Sequence, residues 1–106
     1  MLKIAFMGKT TIPSRVIVET GSNTSGTYRK WSDGTLEQWG EETTASTTNH
    51  PITLPVPFVS NKYIVLGTNT LGTQTTFMVS NSNASYFYVY PSSSTRLFWL
   101  AMGRWK

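Results

Sequence analysis

Two amphipathic, aromatic-bearing runs meet across a single Asp-Gly step in residues 28–40, YRKWSDGTLEQWG, and this segment commits the chain to antiparallel β-structure. Both central residues of a type I′ turn need positive φ, which Gly34 takes freely and Asp33 tolerates. With Asp33 and Gly34 as a two-residue loop, pairing runs outward as Ser32 with Thr35, Trp31 with Leu36, Lys30 with Glu37, Arg29 with Gln38 and Tyr28 with Trp39. Each pair is chemically sensible. The same register sends Trp31 and Trp39 to opposite faces of the hairpin.

The rest of the chain repeats the theme. Short β-branched and aromatic runs recur between turn signals, and no convincing helical periodicity follows Val18. Strands are expected at 15–20, 27–32, 35–40, 52–58, 62–68, 75–80, 85–90 and 96–104, with loops at 21–26 and 41–50. In the run 51–58 the three prolines, Pro51, Pro55 and Pro57, alternate with Ile52, Leu54, Val56 and Phe58. The even residues are therefore expected in the core. The missing N–H groups of the odd ones line a single lateral side, which marks an edge strand or one bordered there by side chains of a neighbouring subunit.

At 106 residues this is one domain, large enough for a modest core, and it contains no Cys to form disulfides or thiolate metal sites. Only 13% of residues are charged, against about a quarter in ordinary domains, while Ser, Thr and Asn make up about a third. The net charge of +4 is spread along the chain, a weak footprint that leans toward an anionic partner without forming a nucleic-acid patch. The leading apolar stretch, residues 2–8, is too short for a membrane span or a secretion signal, so neither membrane insertion nor a leader is expected.

Catalytic chemistry is sparse. His50 is the single histidine, and the acids are Glu19, Asp33, Glu37, Glu41 and Glu42. Asp33 is committed to the turn. A glycosidase needs two carboxyls facing a sugar at a set separation, and Glu41 and Glu42, adjacent in sequence, do not imply such a pair. No enzyme activity, metal site or cofactor is expected.

Recognition chemistry is better represented. In SYFYVY, residues 85–90, alternation puts Tyr86, Tyr88 and Tyr90 on one face and Phe87 and Val89 on the other. Tyrosine offers a flat ring for sugar C–H groups and a hydroxyl for polar contacts. Two readings of the stripe stand side by side: a ligand-binding surface, or a layer half-buried between sheets or subunits. Asn69, in the loop 68–72, and Asn81 and Asn83, in the loop 80–84, are candidate ligand contacts together with the three tyrosines. The last strand is apolar on both faces. Such a strand is either central in a sandwich or packed against another chain, and the second is preferred, which makes Phe98, Leu100, Met102 and Arg104 candidate subunit-interface residues. Arg104 and Lys106 are expected near a symmetry axis or the rim, their like charges separated or paired with Glu37, Glu41 or Glu42.

Three blocks resemble the C-terminal domain at the tips of bacteriophage tail fibres, a family related in fold to the H-type lectins. They are Tyr28 to Gly34 continued by Gln38, Trp39 and Gly40; Ile52 to Phe58 followed by Tyr63, Ile64 and Val65; and Phe98 to Arg104. The resemblance covers the chain from about Gly26 onward. It implies a small antiparallel β-sandwich, H-type-lectin-like, that assembles as a homotrimer at the virion's fibre tip. There it would bind a bacterial surface polysaccharide, lipopolysaccharide or teichoic acid without catalysis. Residues 1–18 are expected to form an arm or shaft remnant and residues 19–106 the tip domain. Two alternatives remain: a purely structural trimer cap, and a small β-barrel that binds single-stranded nucleic acid on its aromatic rings.

Overall fold

A computed structural model describes residues 15–44, 49–69, 77–92 and 94–106. These form eight strands: β1 (Ile17–Asn23), β2 (Gly26–Trp31), β3 (Thr35–Thr44), β4 (His50–Thr53), β5 (Ile64–Asn69), β6 (Phe77–Ser80), β7 (Tyr86–Pro91) and β8 (Thr95–Arg104). Every pairing is antiparallel. A five-stranded sheet runs β1-β2-β3-β8-β5 and a three-stranded sheet runs β4-β7-β6, so the chain is an all-β sandwich. Most of the expected arm lies outside the described residues, and Ile17 and Val18 of it enter β1.

Alternation builds the core between the sheets. Leu36 and Gln38 of β3 and Leu97, Trp99 and Ala101 of β8 point inward from the larger sheet, opposite Ile52 of β4 and Phe87 and Val89 of β7. The Trp99 ring meets Phe87 edge-on at 5.5 Å and lies across Gly40, where a Cβ would sit 2.9 Å from the indole. The longest ladder joins β3 to β8 from Thr35↔Arg104 to Thr44↔Thr95. It carries β3 to Thr44, through the first residues of the expected 41–50 loop. At the other expected loop, β1 runs on through Gly21 to Asn23, leaving only Thr24 and Ser25 as a turn.

The proline-phased run keeps its expected alternation but not its expected length. Ile52, Leu54 and Phe58 are buried and Val56 is half-buried, yet the strand ends at Thr53, on an edge of the smaller sheet. Beyond it the backbone finds other partners: Leu54 N–H donates to Ser85 C=O and Phe58 N–H to Ala84 C=O. Val56, caught between two prolines, is held by the buried Gln38 side chain. Its N–H donates to Gln38 Oε1 and its C=O accepts from Gln38 Nε2, both at 2.8 Å.

The hairpin forms where expected with a register displaced by one residue. Lys30 pairs with Leu36, Arg29 with Glu37, Tyr28 with Gln38 and Thr27 with Trp39. The loop has three residues, because Gly34 N–H donates to Trp31 C=O at 3.0 Å and Gly34 itself takes φ +98°. Ser32 thus belongs to the turn, which ends in a left-handed glycine. A one-residue slip inverts one strand relative to the other. Trp31 and Trp39 consequently share one face, the outer face of the larger sheet.

Candidate functional site

The sandwich presents two outer faces of different chemistry. On the five-stranded sheet, cross-strand rows run Thr27, Trp39, Leu100, Leu66 and then Arg29, Glu37, Met102, Ile64. Ile64 and Leu66 are 66% and 62% exposed, and Phe98, Leu100 and Met102 extend the apolar area beside them. A shallow hollow of about 240 Å³ lies among Leu66, Gly67, Thr68, Phe98, Trp99 and Leu100. Aliphatic and aromatic side chains contiguous over two strands make a patch of the kind that marks an association surface.

Toward β1 the same face turns cationic and aromatic. The Arg15 guanidinium stacks 3.9 Å from the Trp31 ring, Trp31 Nε1 donates to Glu37 Oε1 at 2.8 Å, and Arg29 sits 5.2 Å from the Trp39 ring. Arg29 also approaches Glu37 at 3.7 Å. Within the single chain Arg104 donates to Asp33 C=O at 2.7 Å and to Lys106 C=O. It fastens the chain's own hairpin loop, and Trp105 completes the clasp by donating from its backbone to Gly34 C=O and from Nε1 to Trp31 C=O. The glutamates have other partners: Glu41 pairs with Arg96 at 3.4 Å, and Glu42 lies 2.7 Å from His50 Nε2, joining β3 to β4 across the sandwich.

The outer face of the three-stranded sheet belongs to the tyrosines. Phe87 and Val89 are buried, Tyr86 and Tyr88 are half-buried and Tyr90 is exposed, so alternation along β7 is as the sequence indicated. The Tyr86 and Tyr88 rings meet edge-on at 5.5 Å and Tyr88 and Tyr90 are tilted at 6.4 Å. In cross-strand register, Thr53 flanks Tyr86, Pro51 and Ser80 flank Tyr88, and Met78 flanks Tyr90. Electrostatic repulsion from the neighbouring Tyr86 phenol pushes the Tyr88 pKa above its ordinary value, with desolvation adding to it.

The asparagines are structural in their contacts. Asn81 Nδ2 donates to Asn61 C=O and Tyr63 C=O, and Asn83 Oδ1 accepts from Ser85 N–H. The Tyr63 hydroxyl, itself beneath the loop, donates to Asn83 C=O at 2.8 Å and Tyr86 C=O at 3.0 Å. Asn69 Oδ1 accepts from the Thr95 hydroxyl at the far end of β5. Asn81 and Asn83 therefore sit at the foot of the tyrosine ladder and Asn69 sits apart from it. Sequence reasoning missed the Tyr63 contribution, whose only signal was an aromatic with a polar tip in an apolar run. Among the described residues, no group of three or more His, Cys, Asp or Glu side chains converges.

Residues 30–104 match the model of a family described as tail fiber protein gp53-like, C-terminal. The chain belongs to this tail-fibre family. Its fold agrees: the C-terminal part of the R2 pyocin fibre of P. aeruginosa superimposes with a TM-score of 0.65 at 21% identity, over 82% of this chain and 26% of that one. An N-truncated R2-type pyocin tail fibre gives 0.66 at 20% identity, over 91% and 39% of the two chains. This tail-fibre domain thus spans well under half of either fibre, and at such identity the likeness is one of fold. Comparison with curated protein sequences gives no match.

The matching family is a tail-fibre one rather than one of nucleic-acid binders, and the strands that carry the tyrosine face have no Lys or Arg interleaved with their rings.

Proposed function

We propose that this tail-fibre domain is a non-enzymatic receptor-binding tip that works as a homotrimer and grips a bacterial surface glycan. The observation that carries the reading is the division of labour between opposite faces. An exposed apolar face with Ile64, Leu66, Phe98, Leu100 and Met102 fits burial against symmetry mates. Packing there turns the Tyr86, Tyr88 and Tyr90 face outward, toward a host. Residues 1–18 then lead from a fibre shaft into the tip, residues 19–106. Each site binds weakly, and linked sites on a repetitive polymer raise the effective affinity by about 100-fold or more.

Light scattering at several concentrations tests the assembly: the expected mass is three times the 11.9 kDa of one chain. A persistent monomer rejects the reading. The loop-bracing contacts of Asn81 Nδ2 and Asn83 Oδ1 favour a second reading, a structural cap that recognises nothing. Adsorption unchanged after replacing Tyr86, Tyr88 and Tyr90 together by Ala would select the cap.

A further inference from the structure

The charge of this chain is segregated. From Tyr63 to Thr95 there is no Lys, Arg, Asp or Glu, and from Thr43 to Thr95 the single exception is Lys62. The fold turns this into a surface property, because that stretch builds the whole of the three-stranded sheet. The strands β4, β6 and β7 read HPIT, FMVS and YFYVYP. Their one imidazole, His50, is turned away from the tyrosines toward Glu42. The ion pairs among described residues without histidine are Arg15 with Asp33, Arg29 with Glu37, Lys30 with Glu19 and Arg96 with Glu41, all on the other sheet or its hairpin.

Building on the receptor-binding reading above, we infer that the tyrosine face selects an uncharged polysaccharide segment rather than a phosphorylated or uronic-acid-bearing one. A polyanion gains affinity by meeting fixed cations and loses solvation when laid on a surface that offers none. The row Pro51, Tyr88, Ser80, flanked by Tyr86 with Thr53 and by Tyr90 with Met78, offers apolar rings, a pyrrolidine and a thioether interspersed with hydroxyls. That composition matches a pyranose, whose C–H face is apolar and whose rim is hydroxyl. Among the described residues the Lys and Arg side chains belong to the larger sheet, its hairpin or the C-terminal clasp, apart from Lys62 beside the loop at the foot of the ladder, so steering toward this face is weak. Binding is therefore insensitive to salt.

The test is a panel of immobilised bacterial polysaccharides, some with uncharged repeats and some carrying phosphate or uronate, probed with the full chain. Runs are made at about 0.02 M and about 0.5 M NaCl, the latter screening exposed charges almost completely. The expected result is capture by one or more uncharged polymers, with less than about a 2-fold change between the two salts. Tyr88→Ala, checked for unchanged circular dichroism, is expected to weaken that capture by about 10-fold or more through loss of ring contact. Capture restricted to anionic polymers, or lost at high salt, overturns the uncharged class while leaving glycan recognition standing. Undiminished capture by both Tyr88→Ala and Tyr90→Ala moves the site off this face and overturns the inference. No capture by any polymer overturns the glycan reading itself.

Discussion

Single side chains settle backbone questions that strands leave open. Gln38, fully buried, does for Val56 what a neighbouring strand would otherwise do, meeting N–H and C=O together where Pro55 and Pro57 break the ladder. Gln38→Leu keeps the volume and removes both partners, so it is expected to cost about 2–3 kcal/mol, read as a lower urea midpoint with an unchanged slope. An unchanged midpoint would mean that water replaces the amide. Asp33 works at the hairpin loop, where the Thr35 N–H on its carboxylate, aided by Arg15, holds its pKa below the ordinary 3.8. A carboxyl depressed in the folded state adds stability above pH 3.8 and loses it as pH falls through the folded value. Glu19, lowered from 4.5 by the Tyr28 hydroxyl, loses its contribution over a neighbouring range. Asp33→Asn should therefore flatten the acid limb of the stability curve below about pH 4, measured as thermal midpoint against pH. A limb as steep as that of the parent would locate the acid sensitivity elsewhere. Of these roles, the turn role of Asp33 was legible in the sequence, since Asp before Gly between two amphipathic runs has few other uses. The Gln38 contact was not, because it joins residues 18 apart whose approach depends on two sheets packing.

At the scale of elements, position was easier to read than register. Two- and three-residue loops give the 28–40 hairpin equally plausible cross-strand pairs, and what separates them is the left-handed Gly34 backed by Arg104 and Trp105 from the far end of the chain. No local signal carries that information, which is why the relative placement of Trp31 and Trp39 came out reversed. The proline phase and the alternation in β7 were legible because period-2 patterning against a core is local. The β3–β8 ladder is the opposite case, a non-local pairing across most of the chain. Between these elements, Tyr63 acts as a peg: it stacks on Phe58 at 4.4 Å and its hydroxyl holds the chain on both sides of β7's entry. Burial raises its pKa from 10.0 to about 12. A phenol raised in the folded state contributes stability fully below pH 10 and loses it as pH climbs toward 12. Tyr63→Phe is expected to cost about 1–2 kcal/mol at neutral pH through two stranded carbonyls, and to shallow the alkaline limb. Denaturant unfolding at neutral and alkaline pH reads both effects, and an equal loss at every pH would contradict the titration.

For the whole molecule, the asymmetry between the faces decides how copies can associate. The proposed cyclic trimer would use two unlike patches on each subunit, and the larger sheet offers two side by side: an apolar strip on β8 and β5 next to the Arg15, Trp31, Arg29 and Trp39 ladder. The smaller sheet, free of fixed charge, gains nothing from facing the axis, because its hydroxyls would be desolvated there without partners. Leu66→Glu with Phe98→Lys puts opposite charges on the strip at side chains 62% and 47% exposed in the single chain, so the sandwich itself should fold unchanged. The assembly should not survive, since each charge would be buried against an apolar neighbour. The expected outcome is a monomer by light scattering with parental circular dichroism. Its binding to a glycan-coated surface should fall by about 100-fold or more, while affinity for a soluble monovalent oligosaccharide stays the same. A trimer that persists would place the interface on another face. A monomer whose surface binding is undiminished would separate assembly from recognition and remove avidity from the mechanism.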